Sequence, residues 1–353
     1  MKNERYIFNV LECPDGYEIA DDVFTKYGTM VVRKNTIVNE YIRQKLKNFN
    51  VDKIAVFEPA LPKDSNDSPK EVFTATKREY SEGINSIKVI IKDLTAGKEL
   101  DYEKINEISD SFYENMYSNF AVIECLNQIK SADEYTYSHC VNVSLYSMLI
   151  GKWLKLPENE IKLLLVAGIL HDVGKSRVPA EILNKRGPLT ESEFDIIKKH
   201  PLYGFEIIKD IPDIDERVKD AVLMHHEKEN GTGYPYGVKG ENISYFAKII
   251  SIADAFDAIT SERVYMRRLT PFDTFREFEK MGIGEGYYDP GILLTFLYSI
   301  SQYYVGSKVM MNTGKVGEIV YVPPHNISSP VVRVEDEYID LSVRKDISIV
   351  EML

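Results

Sequence analysis

His171-Asp172, followed by Val173-Gly174-Lys175, sets an imidazole, a carboxylate and an ammonium group at the foot of the apolar run 163–169. A helix that is apolar for this long is buried, and burying adjacent His and Asp is costly unless something pairs with them. A divalent metal ion is the simplest partner, because Asp can bridge two ions while His holds one of them. One such pair means little alone. The other histidines give it weight: of the six, five fall between positions 139 and 226, and only His325 lies outside. Each could instead cap a helix C-terminus or donate to a carbonyl. Five converging with Asp172 and Asp254 favour a two-metal site, and mixed N/O ligation favours Fe, Mn, Co or Zn over an all-oxygen Mg or Ca cage.

The elements that position these residues follow from the pattern of apolar positions. Residues 131–305 read as helix throughout. The stretch 132–154 lines up His139, Val143, Tyr146, Ile150 and Trp153 on one stripe, so His139 faces the core. On that ground alone a structural role is its simpler reading. Leu156-Pro157 ends this helix and opens the next, which delivers His171-Asp172. Val178-Pro179 starts a short helix that Gly187-Pro188 breaks, and Thr190-Glu191-Ser192-Glu193 is a capping-box pattern opening a helix over 191–199. The amphipathic stretch 214–227 ends in His225-His226-Glu227. Adjacent His can both ligate only where a helix end loosens, and the glycine-dense loop 229–237 begins there. A long helix over 243–263 carries Asp254 and Asp257, and two more follow at 271–281 and 290–304.

The flanks differ in character. Residues 1–58 read as a small β-rich domain, with strands at 6–10, 29–32 and 53–57 and a helix at 39–49. Residues 59–130 form a linker, rich in Pro, Asp, Ser and Asn over 59–69, and then a helical connector. From 306 to 353 a small β-rich appendage carries strands at 309–311, 317–322, 331–334 and 338–341. The class is therefore mainly α: an all-helical catalytic domain at 131–305 with small β-rich segments at both termini. A net charge of −12 argues against duplex nucleic acid as a partner but leaves room for a small anionic substrate. Cys13, Cys125 and Cys140 share no metal-type spacing and read as reduced thiols of a cytosolic protein. With no signal-peptide core and no run of about 18 apolar residues, a cytoplasmic protein is expected, with neither a membrane nor a nucleic-acid polymer as partner.

Over 133–289, roughly half the chain, the sequence resembles the HD-GYP family, a branch of the HD-domain metal-dependent phosphohydrolases. The resemblance is carried by Asp133-Glu134-Tyr135-Thr136 leading to Ser138-His139, then His171-Asp172-Val173-Gly174-Lys175, Gly187-Pro188-Leu189-Thr190 and His200-Pro201-Leu202-Tyr203-Gly204. His225-His226-Glu227 running to Gly231-Thr232-Gly233-Tyr234-Pro235 and Ala253-Asp254-Ala255-Phe256-Asp257-Ala258-Ile259-Thr260-Ser261 complete it. It implies an HD-type fold that hydrolyses cyclic-di-GMP to linear pGpG, to GMP, or to both. His139, His171, Asp172 and Asp254 would hold one metal, and Asp172 would bridge to a second held by His200, His225 and His226. Lys175 would lie against a substrate phosphate, Tyr234 against a guanine, and Arg263 at the other phosphate or base.

Departures from the family pattern refine these expectations. Family members with a third metal are similar but carry Glu where this chain has Tyr135, so two divalent ions, Fe or Mn, are expected. Asn230 replaces an Asp, Arg186 stands where Pro is common, and Met266 replaces a basic residue, with Arg267 beside it as a substitute substrate contact. Two metals would lower the pKa of a water between them and bind phosphate oxygens. Asp172 would set their separation, and Lys175 would add charge against the developing phosphorane. Asp257, one turn from Asp254, would either orient a ligating His or pair with Arg263. Two other readings are a phosphohydrolase of another cyclic dinucleotide or nucleotide and a non-catalytic cyclic-di-GMP sensor. The terminal β-rich segments would regulate the enzyme or form a homodimer.

Overall fold

From Ser138 to Gly151 the chain carries only apolar, small or uncharged polar residues apart from His139, and every one of them is buried. A helix with no solvent face has to sit at the middle of its neighbours, and α5, which contains this stretch, is packed by α2, α4, α6 and α11. The computed structural model describes residues 5–25, 30–57, 69–116, 118–128, 135–185, 187–261 and 270–353, and the fold is mainly α. The chain begins with β1 (Arg5–Asn9), β2 (Glu18–Ile19), β3 (Val23–Phe24), β4 (Met30–Val32), α1 (Glu40–Asn48) and β5 (Lys53–Phe57). Helices follow: α2 (Pro69–Thr95), α3 (Tyr102–Asn115), α4 (Asn119–Gln128), α5 (Tyr135–Trp153), α6 (Glu158–Leu170), α7 (Ala180–Leu183) and α8 (Glu191–Ile197). Next come α9 (His200–Ile208), α10 (Glu216–Met224), α11 (Tyr245–Ser261), α12 (Pro271–Glu279) and α13 (Pro290–Ser301). The chain closes with β6 (Lys308–Met311), β7 (Val316–Tyr321), β8 (Val331–Val334), β9 (Glu337–Asp340) and β10 (Ile349–Met352).

These elements form two units. One comprises Met1–Asn66, Met266–Glu277 and Leu297–Leu353, the other Asp67–Tyr265 and Phe278–Phe296. In the first, β1, β5 and β2 make one antiparallel sheet, β3 and β4 a hairpin, and β10-β6-β7-β8-β9 a five-stranded antiparallel sheet. The two chain ends, which the sequence presents as separate segments, share a single core: Ile19, Val38, Ile42, Leu46 and Val56 cluster with Val320, Tyr321 and Val331. Asn39 ties them at its two amide ends, capping α1 at Ile42 N (2.9 Å) and donating to the Val320 carbonyl (2.6 Å). Alternation along a strand tells that one face is buried but not what covers it. β10 had no such alternation to give it away.

The second unit holds all the residues singled out for metal chemistry that the structure describes. Its helices end close to the sequence expectations, with the Thr190 capping box formed as expected. In the stretch 214–227, α10 stops at Met224 and His225 caps it with helical backbone angles, so the helix ends at the paired histidines as expected. Of the linker read at 59–69, residues 59–68 lie outside the described residues, as do Asp133, Glu134, Arg186, Arg263, Met266 and Arg267. Among the described residues no helix is long and apolar enough to cross a membrane.

Helices α5 and α6 touch backbone to backbone. A Cβ on Gly168 would lie 2.4 Å from Ser144 Cα and 2.7 Å from Ser144 N, and Ser144 Oγ donates to the Leu165 carbonyl (2.8 Å) across the same contact. Replacing a helical glycine with alanine gains about 1 kcal/mol of propensity. Overpacking against backbone costs about 1–3 kcal/mol or more, so packing should win. Gly168→Ala should therefore lower stability by up to about 2 kcal/mol in urea denaturation. A stabilised variant would mean that the helices are not in this contact.

Candidate metal centre

Three of the candidate ligands sit where a helix starts or stops, while His139 lies within α5 and Asp254 within α11. His171 follows the last residue of α6, His200 opens α9, and His225 follows the last residue of α10. All three rings are fixed in the same way. Nδ1 of His171 meets the Gly168 carbonyl at 2.8 Å, that of His200 the Ile197 carbonyl at 2.8 Å, and that of His225 the Val222 carbonyl at 2.9 Å. A carbonyl only accepts, so each Nδ1 carries the proton and each Nε2 presents a lone pair. The rings are aimed inward by the turn of helix that precedes them.

What those lone pairs face is decisive. His200 Nε2 and His225 Nε2 stand 3.2 Å apart. Burial holds the His200 pKa down at about 4 and the His225 pKa well below the usual imidazole value, so no proton bridges them near neutrality. Nε2 of His171 and Oδ1 of Asp172 are buried with no hydrogen-bond partner among the described residues. Two facing lone pairs and an orphaned carboxylate oxygen are what a shared cation relieves.

Asp172 divides its oxygens between two groups. Oδ2 lies 3.3 Å from His171 Nε2 and 3.7 Å from His139 Nε2, whereas Oδ1 lies 3.2 Å from His200 Nε2 and 4.0 Å from His225 Nε2. Burial works to raise its pKa, but Lys175, His171 and His200 overcome that and hold it well below the usual carboxylate range. Among the described residues the close donor groups are Asp172, His200, His225 and His226 on one side and His139, His171 and Asp254 on the other. All seven ligands expected from the sequence are thus brought together, and this His/Asp cluster is of a kind that could hold divalent metal. Burial lowers the His139 pKa, but hydrogen bonds to Asp254 and Asp257 outweigh it and raise the value to about 10. A metal bound at this position would take the place of that proton.

Residues 124–292 match a family model described as HD domain. This part of the chain is an HD domain. The chain is 32% identical over 245 residues to a cyclic di-GMP phosphodiesterase of Pseudomonas aeruginosa, covering 69% of this chain and 58% of that protein. It is 36% identical over 152 residues to a cyclic di-GMP phosphodiesterase response regulator of Xanthomonas campestris, covering 42% of this chain and 40% of that protein. A 3'3'-cGAMP-specific phosphodiesterase of Vibrio cholerae is 35% identical over 166 residues, 47% of this chain and 35% of its own length. The chain thus spans between a third and three-fifths of these relatives. In fold it is similar to a solved HDG"Y"P protein of Bdellovibrio bacteriovorus, with TM-score 0.53 and 18% identity over 83% of this chain and 98% of that one.

Around the HD domain's cluster, the remaining sequence-derived residues fall as follows. Lys175 lies in the 3₁₀ turn Val173–Arg177, where side chains three apart eclipse, and its Nζ sits 2.5 Å from Asp172 Oδ2. The Tyr234 ring packs over His226 with centroids 4.6 Å apart and planes 30° apart. Asp257 orients a histidine: its Oδ2 meets His139 Nδ1 at 2.7 Å, and its Oδ1 accepts from Asn142 Nδ2 at 2.8 Å. Asn142 Oδ1 in turn accepts from the Tyr80 hydroxyl at 2.7 Å. Asn230, where an Asp was the family expectation, uses both ends of its amide. It donates to the Glu285 carbonyl and accepts from Thr232, and a carboxylate cannot do the first.

Sequence reasoning missed the part played by Glu227. It is 2% exposed, and its carboxylate accepts from three successive backbone N–H groups, Tyr236 (2.7 Å), Gly237 (3.1 Å) and Val238 (3.1 Å). That latch holds the glycine loop, with Gly231 and Gly237 at φ +79° and +65°, so that Tyr234 lies over His226. An acid directly after paired histidines was the available signal. The cluster opens to solvent at Lys175 (27% exposed side chain), His226 (21%) and Asp254 (16%), while Asp172 and the other four histidines stay at 6% or below.

Glu227→Ala strands three donors, and leaving buried donors unpaired costs about 1–3 kcal/mol. The variant should lose about that much stability and be cut faster within residues 229–240 in limited proteolysis. Wild-type resistance of that loop would refute the latch.

Proposed function

We propose that this chain is a cytoplasmic cyclic dinucleotide phosphodiesterase that opens cyclic-di-GMP to pGpG or GMP and depends on two divalent transition-metal ions, Fe or Mn. The observation that carries this is the pair of unprotonated ring nitrogens 3.2 Å apart beside a carboxylate whose two oxygens face different donor groups. Relatives bearing the name cyclic di-GMP phosphodiesterase support the substrate class. His139, His171, Asp172 and Asp254 would hold one ion and Asp172, His200, His225 and His226 the other. When bound, such ions acidify a water and draw negative charge from a phosphate.

This chain's own residues do the rest. Asp172, shared by both groups, fixes how far apart the two sites stand. Lys175, held by Asp172 at the open side of the cluster, offers an ammonium group to the charge that builds on the phosphate during attack, an electrostatic contribution that grows toward the transition state. Tyr234, kept over His226 by the Glu227 latch, gives a flat face for a base. Arg263 and Arg267 would complete the substrate contacts, and the β-rich ends would regulate or dimerise the enzyme around the 131–305 catalytic region.

A second substrate reading, 3'3'-cGAMP, is supported by a relative of that name at 35% identity. Protein purified without oxygen, assayed for metal content and for turnover of both dinucleotides, separates the readings. Two ions per chain with cyclic-di-GMP hydrolysis are expected, whereas full metal with tight binding and no hydrolysis would make it a sensor. Asp172→Ala should lose metal and turnover together. Lys175→Ala removes a cation from beside the ions, so metal content should stay near wild type while kcat falls roughly 10²–10³-fold with little change in KM. An unaltered kcat in metal-loaded Lys175→Ala would remove Lys175 from the chemistry.

A further inference from the structure

Asp257 is 2% exposed and, as a carboxylate, only accepts. Both of its oxygens are used, one by His139 Nδ1 and the other by Asn142 Nδ2. An asparagine amide has one donating and one accepting end of nearly the same shape, and turned about it would press a carbonyl oxygen against the Asp257 anion. Asp257, which only accepts, therefore sets the direction of the amide, and the hydroxyl of Tyr80 donates to its other end, Asn142 Oδ1, at 2.7 Å. Tyr80 is fully buried on α2, and burial, with Asp257 nearby, raises its pKa, so it remains a phenol with a proton to give. The chain then has one polarity: Tyr80 O–H to Asn142 C=O, Asn142 N–H to Asp257, and His139 Nδ1–H to Asp257. His139 Nε2 is left facing Asp254 Oδ1 at 3.1 Å and Asp172 Oδ2 at 3.7 Å.

We propose that Tyr80 is a positioning residue for the metal centre, acting through Asn142 and Asp257 to hold the His139 ring in its ligating orientation. Helix α2, which the sequence presents as a mere connector, is thereby coupled to one of the two ion sites. The coupling is selective, because His200 and His225 of the other group are held by carbonyls of their own helical turns, and His226 faces Asp254 rather than Asp257. Groups that hydrogen-bond to metal-bound histidines typically change affinity by 10–100-fold when removed, and Tyr80 stands two links farther out.

Resting as it does on the two-metal assignment, the inference is tested on metal binding rather than turnover. Metal-free full-length protein is titrated with Mn²⁺ and the free ion followed by electron paramagnetic resonance. Tyr80→Phe keeps the ring and removes the donor, and it should weaken one of two Mn²⁺ sites roughly tenfold while the other is unchanged. Should the stranded Asn142 carbonyl prevent folding, Tyr80→Phe/Asn142→Leu removes that carbonyl together with the Asn142 donor to Asp257 Oδ1, which breaks the same route to His139 one link nearer the ring. It should show the same selective loss. Wild-type affinity at both sites in either variant, or an equal loss at both sites alongside a lower melting temperature of the metal-free protein, overturns the role of Tyr80 alone. Wild-type protein that takes up no Mn²⁺ overturns the two-metal assignment and this inference with it.

Discussion

The helical unit depends on one recurring hydrogen bond, from histidine Nδ1 to the carbonyl three residues earlier. It occurs at His171, His200 and His225. In each case it ends a helix or opens one, settles the tautomer, and turns Nε2 toward a common point. The result is self-opposing in the absence of a cation, since neutral lone pairs and an ionised Asp172 crowd a space closed to water on most sides. Burial holds the His200 and His225 pKa values down, and Lys175 beside Asp172 keeps that carboxylate charged. A site with neutral nitrogens and anionic oxygens is prepared for a hard-to-borderline divalent ion rather than for an anion.

The polar interactions that support this cluster run outward along different routes. His139 is steadied by Asp257 and beyond it by Asn142, while His226 is covered by Tyr234 from a loop that Glu227 holds by its backbone. The first route is a chain of side chains inside the helical core. The second is a carboxylate gathering three amides, which fixes a loop without needing any of its side chains. The cluster is thus held by side chains on its inner side and by a tethered loop on its open side.

Much of the cluster was legible in the sequence, because metal-binding side chains are rare enough that five histidines and two aspartates in ordered spacing leave few alternatives. The helix ends at His171 and His225 were legible for a related reason, since the runs before them are apolar and the residues after them are not. Tyr80 was not legible: it lies 62 residues from Asn142, and nothing in the pattern of α2 separates one buried tyrosine from another. The two readings of Asp257 could be parted only by seeing His139 Nδ1 beside it. The common core of the chain ends escaped for want of any signal, since Ile19 and Val320 look like ordinary strand and core residues in either setting.

Gly168 and Gly174 bracket His171-Asp172, and neither has room for a methyl group. At Gly174 it would stand 2.0 Å from the His200 carbonyl oxygen and 2.3 Å from Gly204 N, as at Gly168 it would meet Ser144. The spacing within the cluster is thus set by main chain against main chain, and its histidines and aspartates inherit it. It follows that a chain can carry every histidine and aspartate of this cluster and still lack the centre. Sequence surveys that count ligands alone would class such a chain as a metalloprotein. Reading the small residues beside the ligands separates sites that close from those that only look complete.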